Sequence, residues 1–273
     1  MLFASDLDQT LIYSHRTPMS QTILKQIRPV EWLDDRYISY MTQNALHKLK
    51  EISAEVFFVP VTTRTKLQYL RINLHQYGIL PQYAVTSNGG TIYYRGFEDL
   101  DWTHHIRTGR DLCLAADDLV NKFEKLADPS WVLEGSGKMA DDLFYYCLIE
   151  RENVPLAELA DFKLWVNENN WELSVQGRKL YLVPKNVNKK AAIQYIRERE
   201  GVEQVIAAGD SLLDLEMLQA ADLAIVPAHG ELFSHYSQEL GMEALKFTQK
   251  TGIEAAEEIL EYVNTALSKQ VVV

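Results

Sequence analysis

Short, continuous apolar runs punctuate this chain. Leu2 to Leu7, "VFFVPVTT" at 56–63 and "VIAA" at 205–208 read as strands buried on both faces. Between them, apolar residues recur at helical spacing: Leu46, Leu49 and Ile52 within 42–53, then Leu67, Leu70 and Leu74 in a helix that Gly78 can end. "YAVTSNGG" at 83–90 adds a strand and a turn, and "QVIAAGDSLLDLEMLQAADLAIVP" at 204–227 compresses strand, loop, helix and strand into one stretch. This rhythm predicts a parallel sheet with crossover helices, and it places the polar clusters at the carboxyl ends of the strands. A last helix over 253–267, with Ile259, Leu260, Val263 and Leu267, is expected to pack on the same core.

From Thr91 to Pro184 the pattern changes. A helix is predicted near 110–127, a strand at "LFYYCLIE", a helix near 155–169, and a hairpin over "WELSVQGRKLYLVP" turning around Gln176 and Gly177. The reading is an α/β protein with a doubly wound parallel-sheet, Rossmann-like core made of 1–90 and 185–273. A second α/β unit, 91–184, is inserted into it. Two chain crossings lead to the expectation of a hinge and a cleft between the units.

Composition narrows the partners. The chain has 273 residues, 47% hydrophobic and 24% charged, with a net charge of −11. Nucleic acid and anionic membrane surfaces want basic patches, so neither is an expected partner. A small anionic substrate fits if a bound cation supplies positive charge. Cys113 and Cys147 form no Cys-x-x-Cys pattern, so neither a disulfide framework nor a thiolate zinc site is indicated. With no apolar leader segment and no run of 18 apolar residues, a cytoplasmic protein is expected.

"FASDLDQT" at 3–10 sets two aspartates, Asp6 and Asp8, at the end of the first strand, where ligands bind in open parallel sheets. Residues i and i+2 of an extended strand face the same way, so both carboxylates are expected to reach one site. Crowding them without a cation would raise one pKa, and magnesium, a hard ion that takes carboxylate, carbonyl and phosphate oxygens, resolves the conflict.

Four pieces in chain order carry a resemblance. "DLDQT" resembles the Asp-x-Asp-x-Thr signature of the haloacid dehalogenase (HAD) superfamily of phosphohydrolases. "VTTR" at 61–64 resembles its second signature with Thr62, and "NVNKKAAI" at 186–193 the third, with Lys189 the better match and Lys190 the alternative. "GDSLLD" at 209–214 resembles the fourth, with Asp210 and Asp214. "TSNGGTIYY" before the insert resembles the branch with a large α/β cap, the Cof-type and sucrose-phosphatase-like proteins. Two motifs depart from that branch: Val61-Thr62-Thr63-Arg64 stands where Ala-Thr-Gly-Arg is usual, and Leu213 where Asn is usual.

The resemblance implies a magnesium-dependent phosphatase acting on a small phosphate ester, most plausibly a sugar phosphate. Asp6 would be the nucleophile and Asp8 the general acid and base. Asp6, the backbone of Asp8, and Asp210 would hold Mg²⁺ with Asp214 in support, while Thr62 and Lys189 contact the phosphoryl group. Arg64 and Asn88 are candidate substrate contacts. A phosphotransferase or mutase on the same site, and a non-catalytic module of the same fold, are the alternatives.

Other features read as structure. "EGSGK" at 134–138 has Val132 where a P-loop needs its first Gly. His104 and His105 are expected at the surface, and Tyr145, Tyr146, Trp165 and Trp171 in the core or on the sheet face of the insert.

Overall fold

The computed structural model describes residues 1–237 and 245–270. Contacts divide the chain into two compact units, Met1–Glu98 with Lys189–Val273, and Asp99–Asn188. The change of pattern at Thr91 precedes this division because Thr91–Tyr94 pairs back on Tyr83–Thr86 and Phe97–Glu98, which keeps the hairpin in the first unit.

The first unit is built on a parallel sheet ordered Leu245–Phe247, Leu223–Val226, Val205–Ala208, Leu2–Ser5, Phe57–Pro60. Leu2–Ser5 lies in the middle, buried throughout, as its unbroken apolar run requires. Beneath the sheet, helix Gln43–Glu55 buries Ala45, Leu46, Leu49 and Ile52. Its first turn is capped by the Thr42 hydroxyl, which accepts from the Ala45 amide at 3.0 Å. The C-terminal helix Ile253–Gln270 buries Ile259, Leu260 and Val263 in the same core, with Leu267 packed at its margin.

Two stretches depart from the hydrophobic pattern. Leu67, Leu70 and Leu74 predicted one helix, but the chain forms a four-residue helix, Lys66–Tyr69, and a separate 3₁₀ turn, Leu74–Tyr77. Gly78 closes that turn at φ 77°. The break arises because residues 71–73 bond to a neighbouring strand: Trp32 donates to the Arg71 carbonyl at 3.3 Å and Asn73 to that of Val30 at 2.7 Å. Leu67 and Leu70 are left 76% and 62% exposed. That neighbouring strand, Ile27–Leu33, pairs with Arg36–Thr42 in a hairpin absent from the sequence reading. Asp34 and Asp35 form its two-residue turn, with φ of 47° and 57°, the left-handed pair that tight hairpins need and that Asp tolerates.

The second unit carries an antiparallel sheet ordered Trp171–Gln176, Lys179–Pro184, Phe144–Leu148, Lys138–Ala140. Helices Ala116–Glu124 and Leu156–Glu168 bring Leu119, Phe123, Leu159, Phe162 and Val166 into its core with Trp131, Tyr145 and Trp171. The helix expected over 110–127 is shorter, Ala116–Glu124, and a helix without a counterpart in the sequence reading, Leu100–Arg110, precedes it. The loop between them is tied to Asn169 and Asn170: the Leu114 amide donates to the Asn169 carbonyl at 3.2 Å, and Asn170 Nδ2 to the Leu112 carbonyl at 2.7 Å. His104 and His105 lie on the first of these helices, where His105 stacks on Trp102 with ring centroids 5.0 Å apart.

Candidate active site

The register of the parallel sheet assembles the site. Ser5 pairs with Pro60 on one side and Ala208 on the other, so the residues that follow, Asp6, Val61–Thr62 and Gly209–Asp210, leave the sheet side by side. The amides there reinforce the alignment: Asp6 donates to the Ala208 carbonyl at 2.9 Å and Val61 to that of Ser5 at 2.8 Å.

Lys189 begins helix Lys189–Glu200, yet it is buried, with 1% of its side chain exposed. Its ammonium donates to Asp6 Oδ1 at 2.7 Å and Asp214 Oδ1 at 2.6 Å. Asp214 accepts further bonds at Oδ2 from the Ser211 amide (3.0 Å) and hydroxyl (2.9 Å). Its approach depends on Gly209, where an added Cβ would lie 2.5 Å from the Asp214 Cβ and Cγ. The Thr10 hydroxyl sits between Asp6 Oδ2 and Asp210 Oδ1, 3.4 Å from each. Oxygens of Asp6, Asp210 and Asp214 all lie within 4.8 Å of one another, an all-carboxylate set suited to one hard cation.

Electrostatics favour such an ion. Burial pushes the Asp6 carboxyl up to about 7; Lys189 opposes this, while Asp214 and Asp8 add to it. Asp210 is likewise held well above the usual carboxylate range, by burial first and then by Asp6 and Asp214. Burial disfavours the Lys189 charge, but Asp214 and Asp6 overcome it and raise its pKa. One ammonium faces three carboxylates here, and a divalent cation would relieve the imbalance.

Asp8 does not follow Asp6 into this cluster. The strand ends at Ser5, and Leu7 begins a tight turn in which its carbonyl accepts from Leu11 at 2.9 Å and Ile12 at 2.8 Å, with Gln9 at φ 62°. The same-face expectation held for an extended strand, and the turn cancels it. The half-exposed Asp8 carboxylate instead takes both oxygens to Arg64, from Nε and Nη2 at 2.7 Å each.

Thr62 is fully buried, and its hydroxyl accepts from the Arg64 amide at 3.1 Å, which leaves its own proton to donate. Arg64 was expected to contact substrate, but four of its five N–H donors go to carboxylates: Asp8 as above, and Glu31 from Nη1 at 2.7 Å and Nη2 at 2.9 Å. Asn88 occupies a left-handed turn at φ 58°, with its amide bonded to the Thr62 carbonyl at 3.0 Å. Ser87 similarly donates to the Arg64 carbonyl at 2.8 Å, so this turn braces the Thr62–Arg64 segment. Lys190 lies half-buried beside Lys189.

Two residues at the site were not read from sequence. His229 is bonded at Nε2 to the Gln9 carbonyl at 2.9 Å and accepts at Nδ1 from the Gly252 amide at 3.0 Å, which ties down the turn bearing Asp8. Glu31 is the other. A carboxylate inside the apolar stretch "PVEWL" was its only signal.

Comparison with known proteins bears on this geometry. The model of the sucrose-6F-phosphate phosphohydrolase family matches residues 1–264. Among solved structures, the chain is similar to the sucrose-phosphatase of Synechocystis sp. PCC6803 in complex with sucrose and phosphate. The TM-score is 0.68 at 17% identity, covering 97% of this chain and 98% of that one. It also resembles a haloacid dehalogenase-like hydrolase of Bacillus subtilis (TM-score 0.52, 13% identity, 96% and 89% covered). A third is the trehalose-6-phosphate phosphatase of Aspergillus fumigatus (0.53, 14% identity, 97% and 92%). At these identities the structures speak to the fold. A search of curated proteins finds no match. Among the described residues, no helix is long and apolar enough to cross a membrane.

Proposed function

Because the chain belongs to the sucrose-6F-phosphate phosphohydrolase family, and is thereby an HAD-type phosphoric monoester hydrolase, we propose that it hydrolyses a small sugar phosphate with magnesium, through an aspartyl-phosphate at Asp6. The observation that carries this reading is the buried Asp6 carboxylate, held by Lys189 and set within one cation's reach of Asp210 and Asp214.

Asp6 attacks phosphorus with the oxygen that Lys189 does not hold. The phosphorus–oxygen bond to the sugar breaks, and Asp8 supplies the proton that the departing alkoxide takes, a role typically worth about 10²- to 10⁴-fold. Asp8 then accepts a proton from water as that water attacks phosphorus, and the bond to Asp6 breaks to release inorganic phosphate. Each Asp8 oxygen bonded to Arg64 keeps a second lone pair for this traffic. Thr62 donates its free hydroxyl proton to a phosphoryl oxygen, and Lys189 keeps a fixed positive charge beside Asp6. Asp6, Asp210 and the Asp8 backbone would hold Mg²⁺, with Asp214 orienting Lys189; when bound, the ion neutralises charge on the phosphoryl oxygens. Asn88 is assigned a contact to substrate.

Phosphate release from a panel of sugar, polyol and nucleotide monophosphates, with sucrose 6F-phosphate among the sugars, tests the reading. Release from a sugar phosphate that requires magnesium and disappears in Asp6→Asn supports it. Release that persists in Asp6→Asn, or a clear preference for nucleotides, overturns it.

A further inference from the structure

Arg64 is not free to place its guanidinium. Glu31, with no side-chain surface exposed, takes Arg64 Nη1 on Oε1 and Nη2 on Oε2, so the head group is gripped along one whole edge. Glu31 is itself fixed from two more directions: the Ser39 hydroxyl donates to Oε2, and Arg71 Nε lies 3.2 Å from Oε1. Its strand is locked on both sides, to Arg36–Thr42 by the hairpin ladder and to Arg71–Asn73 by the bonds that separate helix Lys66–Tyr69 from the turn Leu74–Tyr77. The adjacent edge of the guanidinium, Nε and Nη2, is thereby presented to the two oxygens of Asp8.

This chain of contacts is directional. Asp8 has 49% of its side chain exposed and, among the described residues, makes both of its side-chain hydrogen bonds to Arg64. About half of the Asp8 side chain faces solvent, whereas that of Glu31 lies wholly within protein. A buried carboxylate with two guanidinium partners and a hydroxyl is an expensive arrangement if its product is only stability, since removing a partner from such a group leaves uncompensated charge.

We infer that Glu31 is a positioning residue, acting through Arg64 to hold the Asp8 carboxylate where it transfers protons. The inference rests on the role of Asp8 given under Proposed function. It reassigns Arg64 from substrate contact to carrier of this alignment, and it gives the Ile27–Thr42 hairpin a part in the reaction.

The test is leaving-group dependence. kcat/KM reports steps up to departure of the leaving group, and a sugar alkoxide needs a proton where a nitrophenolate does not. The protein is assayed as wild type, Asp8→Asn, Glu31→Gln and the double variant, on the preferred sugar phosphate and on p-nitrophenyl phosphate. Glu31→Gln is expected to lower kcat/KM for the sugar phosphate roughly 10- to 100-fold, the scale of a misplaced catalytic group, and for the aryl ester less than about threefold. The double variant should lose no more selectivity than Asp8→Asn alone. Equal losses on both esters in Glu31→Gln, or none, while Asp8→Asn is selective, would overturn the positioning role and leave the Asp8 assignment standing. An Asp8→Asn variant that is unselective or fully active overturns that assignment and the inference with it. Glu31→Asp keeps the charge but withdraws it from Arg64; it is read in the same way should Glu31→Gln not fold.

Discussion

The raised Asp6 carboxyl makes stability depend on pH in a way that one substitution isolates. Asp6 moves from an ordinary 3.8 to about 7 in the folded protein. A carboxyl raised on folding binds more protons in the native state than in the unfolded chain between those two values, so stability falls as pH rises through that window. Its contribution is fully present below about pH 4 and lost above about pH 7. The gap of 3.8 to 7, at about 1.36 kcal/mol per pH unit, corresponds to about 4 kcal/mol. Asp6→Asn removes the titration. It also replaces the charged acceptor of Lys189 with a neutral amide oxygen, and because that ammonium keeps its proton throughout this range, Lys189 adds no titration of its own. The quantity to read is therefore the slope of the difference between variant and wild type. Urea unfolding at half-unit steps from pH 4 to 8, with chelator present, should show wild type losing about 4 kcal/mol relative to Asp6→Asn. Asp210 reinforces the trend, because Asp6 is among the causes of its raised pKa. Parallel stability curves for the two proteins would refute the claim that burial and crowding strain this carboxylate.

Three further outcomes follow from the same geometry. Magnesium should stabilise the wild type more at pH 7.5 than at pH 5, since it binds ionised carboxylates, and the increment should be reduced in Asp210→Asn; thermal unfolding with and without the ion checks this. Gly209→Ala should cost most of the phosphatase activity, because its Cβ would push Asp214 away from Lys189; phosphate release measured beside circular dichroism separates this from misfolding. Leu49→Ala, in the fully buried face of helix Gln43–Glu55, should destabilise by about 2–5 kcal/mol in urea while KM is unchanged.

The parts of the site visible in the sequence are those where a local pattern and a sheet register coincide. Asp6, Thr62 and Asp210 each follow an apolar strand, and parallel pairing then aligns the three ends without further information. Lys189 and Asp214 came with the motif resemblance, and the structure brings them within 2.6 Å. What the sequence concealed depends on non-local competition. Leu67 and Leu70 have helical spacing, but the carbonyls and amides of residues 71–73 are better used by a strand forty positions upstream, so the helix stops after one turn. Glu31 breaks the apolar alternation of that strand, and its three partners, Ser39, Arg64 and Arg71, come from separate segments. No window of sequence contains such a cluster. Asp8 leaves the face of Asp6 for a related reason: the strand ends at Ser5, and a left-handed Gln9 makes the turn after it possible.

The claim at the centre of this account is that phosphorus bonds to Asp6 during turnover. Rapid acid quench of a single turnover, using the preferred sugar phosphate labelled in its phosphoryl group, measures it directly. The account predicts transient label on the peptide containing Asp6, released by hydroxylamine as an acyl phosphate is, and neither label nor turnover in Asp6→Asn. Label on a different residue, or turnover by Asp6→Asn at a substantial fraction of the wild-type rate, would contradict it.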